Sequence, residues 1–178
     1  MNEFPEVMLD LETLGRSAGC VVHEVALVRF NSKTREAGEK LHLYVSIEDS
    51  LAHGLTIDEE TLAWWNRQGG PRQDRPHTLH HSASLIAEFL TAAPVKRLWA
   101  WGTCFDLPLI RAAFEAASVR WPLHYAVSRD ARTVWDLAFP GVIHDRAAGH
   151  DALADCYQQI RQLWRAADTM FIPSLSKP

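Results

Sequence analysis

The sequence predicts an α/β fold in which a mixed sheet, an antiparallel meander extended by parallel strands, is flanked by helices. Three observations lead there. Runs that are β-branched or alternate in polarity mark three strands within the first 45 residues. The connections between them are short, which favours antiparallel pairing. Beyond residue 56 apolar residues recur at helical spacing around one further strand-like run, as expected when helices cover a sheet.

The first strand is residues 7–12, Val7-Met8-Leu9-Asp10-Leu11-Glu12, with an apolar wall and a wall that carries carboxylates. A turn over 15–19 leads to a second strand at 21–30, and a polar turn over 31–38 to a third at 40–45. Thr56-Ile57-Asp58-Glu59 has the form of a capping box and predicts a helix through Asn66, with Leu62 and Trp65 inward and Gly69-Gly70-Pro71 as its stop. Residues 84–91 read as a helix with Leu85, Ile86, Phe89 and Leu90 on one stripe, 96–101 as a central strand, and 107–117 as a helix with Asp106 near its N-terminus. A long helix is expected over 151–167, striped by Leu153, Cys156, Ile160, Leu163, Trp164 and Ala167. Strands of the parallel part place sites at their carboxyl ends, where Glu12 and Asp106 would both lie.

Composition narrows the function. The 178 residues are the size of one domain, expected over 1–172 with a flexible tail at 173–178; 47% are apolar and 22% charged, ordinary for a soluble globular protein. No apolar run approaches the roughly 20 residues of a membrane span, and Met1–Glu6 has no basic cluster, so a cytoplasmic protein without membrane contact is expected. Cys20, Cys104 and Cys156 are odd in number and widely spaced, against a disulfide framework or a structural zinc site; they are expected to be partly buried thiols. A net charge of −4 excludes a protein that coats nucleic acid through phosphate contacts alone, but not a nuclease whose acidic site holds divalent metals. Arg67, Arg72, Arg75, Arg129 and Arg132 are the pieces available for a local basic track, although scattered arginines are more often solvated surface.

Asp10 and Glu12 are two apart on a strand and so project from one face, about 7 Å apart at Cα. Such a pair suits a hard, oxygen-seeking ion such as Mg²⁺ or Mn²⁺, or else the solvated face of an edge strand; spacing alone leaves the two readings equal. Asp106 alone is explained as well by helix capping as by chemistry. His150 and Asp155 are five apart, about 140° around a helix, and converge only if His150 lies in the loop or first turn, which Gly149 makes reasonable. Asp155 beside Cys156 is an awkward place for an unpaired acid.

Taken together these residues resemble a known family. Asp10-Leu11-Glu12-Thr13, Phe105-Asp106 after a strand with tryptophan and glycine, and His150-x-x-x-x-Asp155 are similar in order and spacing to the three motifs of DEDDh 3′–5′ exonucleases, the group of ribonuclease T, oligoribonuclease and replicase proofreading subunits. The local texture, including Trp64-Trp65-Asn66-Arg67-Gln68 and Arg132-Thr133-Val134-Trp135-Asp136-Leu137, resembles a compact branch of mycobacterial, phage and prophage exoribonuclease-like proteins. Two departures touch substrate positioning rather than ligands: Gly102, Thr103 and Cys104 stand where many relatives have an asparagine, and His150-Asp151 replaces His-Asn.

The resemblance implies a ribonuclease H-like fold and two divalent ions, Mg²⁺ or Mn²⁺. Asp10 would bridge both, Glu12 and Asp155 would hold the first, and Asp106 the second. His150 would be the general base, since imidazole exchanges a proton near neutral pH. The backbone of Thr13, Leu14 and Gly15 would face the terminal nucleotide, with Leu14 stacking on its base. Trp64 is a further candidate for stacking, whereas Trp65, Trp99 and Trp164 fall on apolar faces and read as core. The implied partner is nucleic acid with a free 3′-hydroxyl, RNA ahead of DNA, released as nucleoside 5′-monophosphates; relatives suggest a homodimer. The alternatives are a phage-type exodeoxyribonuclease, a carboxylate endonuclease, and an idle nucleic-acid-binding module on the same fold.

Overall fold

In a computed structural model that describes residues 3–143 and 150–170, one five-stranded sheet has the order β3-β2-β1-β4-β5. Its strands are β1 (Glu6–Thr13), β2 (Val22–Asn31), β3 (Glu36–Tyr44), β4 (Arg97–Ala100) and β5 (Ser128–Asp130). The pairs β1–β2 and β2–β3 are antiparallel, whereas β1–β4 and β4–β5 are parallel, so the mixed sheet expected from the sequence is present. The helices are α1 (Ile47–Ala52), α2 (Glu59–Arg67), α3 (Leu79–Thr91), α4 (Thr103–Ala116), α5 (Ala131–Ala138) and α6 (Ala152–Thr169). Gly149 and the tail from 173 lie outside the described residues.

β1 is the central strand, and its period of two sorts its residues between two cores. Val7, Leu9 and Leu11 join Val25 and Leu27 of β2 in the cluster covered by α3 and α4, with Ile86, Leu90, Ile110 and Phe114. Met8 joins Ala26, Val28 and Phe30 in the opposite cluster, under Trp135 of α5 and Cys156, Ile160 and Leu163 of α6. Asp10 and Glu12 follow Met8 on this second face. The solvated edge strand that spacing alone allowed is therefore excluded, because β1 has a strand on each side and a core on each face.

Several elements differ from the sequence expectation. The residue that caps α2 is Asp58, whose carboxylate accepts the N–H of Thr61 at 2.8 Å; Thr56 lies outside the helix, so the expected capping box is displaced by two residues. β3 begins at Glu36, inside the expected polar turn, because its outer position tolerates an exposed, polar strand. α3 starts five residues early, capped by Thr78, and α4 starts at Thr103, so Asp106 lies within the helix rather than capping it. α1, β5 and α5 were not expected. Cys104 is exposed, while Cys20 and Cys156 are buried as thiols.

Asp130, the last residue of β5, organises two helix starts. Its Oδ1 accepts the N–H of Thr133 at 2.8 Å and caps α5; its Oδ2 accepts the N–H of Thr103 at 2.7 Å and caps α4, whose N-cap Gly102 (φ +126°) has no side chain for the task. Burial pushes the Asp130 carboxyl up, but hydrogen bonds from Thr133 and Thr103 outweigh it and hold it below the ordinary range. Asp130→Ala is expected to cost about 1–4 kcal/mol in urea unfolding at neutral pH, two caps at about 0.5–2 kcal/mol each. A loss under about 0.5 kcal/mol would show that the shared caps do not hold these helices.

Candidate active site

Three chain segments converge at the carboxyl ends of β1 and β4. Asp10 and Glu12 come from β1, Asp106 from the first turn of α4, Asp155 from the first turn of α6, and His150 from just before that helix. All five line one cavity of about 190 Å³. Asp10, Glu12 and Asp155 each offer an oxygen within 4.8 Å of the others. Asp106 lies against the same centre, close enough that its charge opposes ionisation of Asp10.

The fold positions these groups by ordinary means. Asp10 pairs across the ladder with Ala26 and Glu12 with Glu24; a register irregularity follows between Glu12 and Thr13, opposite the buried His23. Bulges of this kind re-aim a strand at its end. α6 lies close over β1 and β2 because small residues face the sheet: Ala152 and Cys156 are fully buried. From this helix Gln159 donates to Asp10 Oδ1 at 2.6 Å, while its own Oε1 is buried without a hydrogen-bond partner among the described residues.

Confinement of like charges sets the electrostatics. Burial, then the charges of Asp106 and Glu12, push the Asp10 carboxyl well above its usual range, with the Gln159 bond a partial offset. Burial, then Glu24 and Asp155, push Glu12 to about 8, although Arg72 opposes the shift. Burial pushes Asp106 to about 7 against its backbone hydrogen bond and the Arg132 guanidinium. Carboxylates gathered this closely stay ionised only beside a cation. An oxygen-only donor set of this kind suits Mg²⁺ or Mn²⁺ rather than a softer metal.

His150 stands in the loop position that convergence with Asp155 requires. Its backbone is left-handed, φ +48°, and α6 begins only after the N-cap Asp151. Its ring meets Trp64 edge-to-face at 4.7 Å and Trp65 at 6.1 Å. Trp64, read from sequence as a surface for bases, is thus half-buried and packed on the histidine, and its remaining surface lines a neighbouring depression with Thr13, Gly15, Arg16 and Arg67. The Thr13 hydroxyl donates to the Gly15 carbonyl at 2.7 Å, and the Thr13 carbonyl accepts from Trp65. Gly15 is a close approach: a Cβ there would meet Cys20 Cβ at 2.7 Å.

Leu14 departs from expectation. Its side chain is 0% exposed within the core, its N–H donates to Val21 O, and its carbonyl accepts from Asp58 N, so it offers neither a stacking surface nor free backbone groups to a nucleotide. The strand alternation that sends Asp10 and Glu12 into the cavity does not extend past the irregularity at Thr13. Cavity residues to which sequence reading gave no role are Leu11, Trp101, Phe105, Gln158, Gln159 and Gln162, while Arg132, read there only as a piece of a basic track, lines the cavity too. Phe105 is a large apolar side chain left 37% exposed at the rim, and its place beside Asp106 was the available signal.

Residues 5–166 match the model of the family described as the 3′-5′ exoribonuclease Rv2179c-like domain. No curated protein matches the chain. Among solved structures, E. coli exonuclease I in complex with a dT13 oligonucleotide is similar at 15% identity and a TM-score of 0.69, over 94% of this chain and 42% of that one. Cell-death related nuclease 4 is similar at 14% identity and a TM-score of 0.66, over 93% and 64%. The likeness to both is one of fold, ribonuclease H-like, and the chain spans less than half the length of exonuclease I.

The raised carboxyls fix the sign of a pH effect on the metal-free protein. Folded Glu12 and Asp106 keep protons to about 8 and about 7, whereas the unfolded chain releases them near pH 4, at roughly the reference values. The folded state therefore binds more protons in between. Stability from these groups is fully present below the unfolded values and is lost as pH rises through the folded ones. The thermal midpoint of chelator-treated protein is expected to fall from pH 5 to pH 9, and less steeply in Glu12→Gln. A midpoint that climbs across that range would contradict the assignment.

Proposed function

The chain belongs to the 3′-5′ exoribonuclease Rv2179c-like domain family, and from that premise we propose that it is a metal-dependent 3′–5′ exonuclease, acting as one domain over 1–172 and releasing nucleoside 5′-monophosphates from single-stranded RNA. The observation that carries this reading is the convergence of Asp10, Glu12, Asp106, His150 and Asp155 on one cavity.

The donor set fits divalent ions. Asp10, Glu12 and Asp155 would hold one Mg²⁺ or Mn²⁺, and Asp10 with Asp106 a second. When bound, such ions neutralise charge developing at a scissile phosphate and ease ionisation of the attacking water. The chain's own groups do the rest. A ring nitrogen of His150 accepts the water's proton, the ring being held at the cavity wall by Trp64. Gln159 keeps Asp10 oriented through its 2.6 Å bond. Thr13 and Gly15 border a depression beside Trp64, where Arg67 supplies positive charge for the phosphates of an incoming strand and Arg16 is paired with Glu60 at 3.4 Å. Phe105 at the rim offers a ring for the terminal base, the part first expected of Leu14.

The family description supports RNA as substrate. DNA is the second reading, favoured by one observation: the similar exonuclease I was solved with dT13 and with dA16 oligonucleotides. With RNA and DNA strands labelled at the 5′ end, a ladder shortening from the 3′ end is expected in Mn²⁺, faster on RNA, and none with excess EDTA. Equal degradation of a circular strand, or undiminished turnover in EDTA, would refute the exonuclease or the metal assignment respectively.

Ligand and base can be separated. His150→Ala is expected to lower kcat roughly 10²–10⁴-fold with Mn²⁺ affinity retained. Asp155→Ala should weaken Mn²⁺ binding, so that added Mn²⁺ restores part of its activity. Near-normal turnover of His150→Ala would reduce the histidine to a loop residue.

A further inference from the structure

We propose that Arg72 is a positioning residue for His150, holding the loop from which the histidine enters the cavity. The proposal rests on the reading of His150 as proton acceptor. Arg72 lies between α2 and α3, in a stretch with no regular structure, and is not among the residues that line the catalytic cavity. Its side chain nevertheless spans three acceptors. Nε donates to Glu24 Oε2 at 3.2 Å, Nη1 faces Asp151 Oδ2 at 3.5 Å, and Nη2 donates to the carbonyl oxygen of His150 itself.

Glu24 is the counterpart. Its side chain is 0% exposed at the centre of the protein, and its Oε1 accepts the N–H of Ala152 at 3.0 Å and meets His42 Nε2 at 2.9 Å. Residues 150, 151 and 152 are therefore each tied to the Arg72–Glu24 pair: a carbonyl, a carboxylate and an N–H in succession. Glu24, His42 and Asp151 lie together as a metal-binding group would. The cation among them is the guanidinium, whose planar fork meets several acceptors in fixed directions, as a single ammonium cannot.

The loop has need of such a clamp. His150 is left-handed at φ +48°, a conformation that a residue other than glycine holds only where its surroundings impose it. The edge-to-face contact with Trp64 fixes the ring from one side. The bond from Arg72 to the carbonyl fixes the backbone from the other. Without it, the peptide has lost the partner that selects this orientation, and the ring has lost its reach into the cavity. Arg72 also lowers the pKa of Glu12, so an effect through metal binding must be separated from one through the histidine.

The test is a double-mutant cycle on the full chain, with kcat, KM, Mn²⁺ affinity and thermal midpoint measured for each variant. Arg72→Ala is expected to lower kcat roughly 10- to 100-fold, the usual cost of losing an outer partner of an active-site group, with KM and Mn²⁺ affinity little changed. In a His150→Ala background the same substitution should cause no further loss, since residues acting as a unit are not additive. Arg72→Lys, which keeps a positive charge beside Glu24, should recover the thermal midpoint but leave most of the kcat loss. An Arg72→Ala enzyme with normal kcat, a loss that persists in full without His150, a loss confined to KM or Mn²⁺ affinity, or full recovery of kcat by Arg72→Lys would each overturn the proposal. If His150→Ala itself turns over normally, the reading of His150 falls and takes the proposal with it. A large loss in His150→Ala beside an unaffected Arg72→Ala overturns the proposal alone.

Discussion

Four carboxylates held within one small cavity, against their own repulsion, are the constraint on which the rest of this structure depends. A central strand would ordinarily carry apolar residues on both faces, and β1 does so from Val7 to Leu9. Apolar packing on the two sides of Val7, Met8 and Leu9 fixes the strand firmly enough that the acids beyond have no room to separate. Asp106 and Asp155 enter from the first turns of α4 and α6, where the positive end of a helix favours a negative charge. The compensation at Asp10, Glu12 and Asp106 is partial: an amide from Gln159, a backbone hydrogen bond at Asp106, and guanidinium groups from Arg72 and Arg132 beside Glu12 and Asp106. The raised carboxyls mark the shortfall, and a divalent cation held among them would remove it.

The parts of this arrangement that were legible in the sequence are those set by short-range periodicity. Alternation of Asp10 and Glu12 with Leu9 and Leu11 placed both acids on one face of a strand, and the stripe on α6 placed Cys156, Ile160 and Leu163 inward. The 140° between His150 and Asp155 leaves His150 the loop or the first turn of the helix, and the structure places it in the loop, before the N-cap Asp151. Periodicity fails where the backbone leaves the regular path. Leu14 follows the irregularity at Glu12 and Thr13 and turns into the core, so the stacking role that the family resemblance implies for it is closed to its side chain. β5 has three residues, too few to show a pattern.

Long-range electrostatics were the least legible. Glu24 lies within a β-branched run and drew no notice there, although an acid in a strand buried on both faces must find a partner. Its partner, Arg72, lies 48 residues away, among scattered arginines of the kind that are more often solvated surface. Nothing in either neighbourhood announces the pairing, because a sequence does not show that β2 passes under the segment following α2. The same holds for Asp130, whose two oxygens cap α4 and α5 and so couple the strand next to β4 to the helix that carries Asp106.

The central claim, that the acidic cavity is a metal site where burial and like charge hold the Asp10, Glu12 and Asp106 carboxyls above their ordinary range until a cation arrives, is tested most directly by calorimetric titration of Mn²⁺ into metal-free protein at pH 7. Repeating it in buffers of different ionisation enthalpy counts the protons released. Saturable binding that expels protons is expected, and replacing Glu12 by Gln should reduce both the affinity and the proton count. Absence of binding, or binding with no proton release, would contradict the claim.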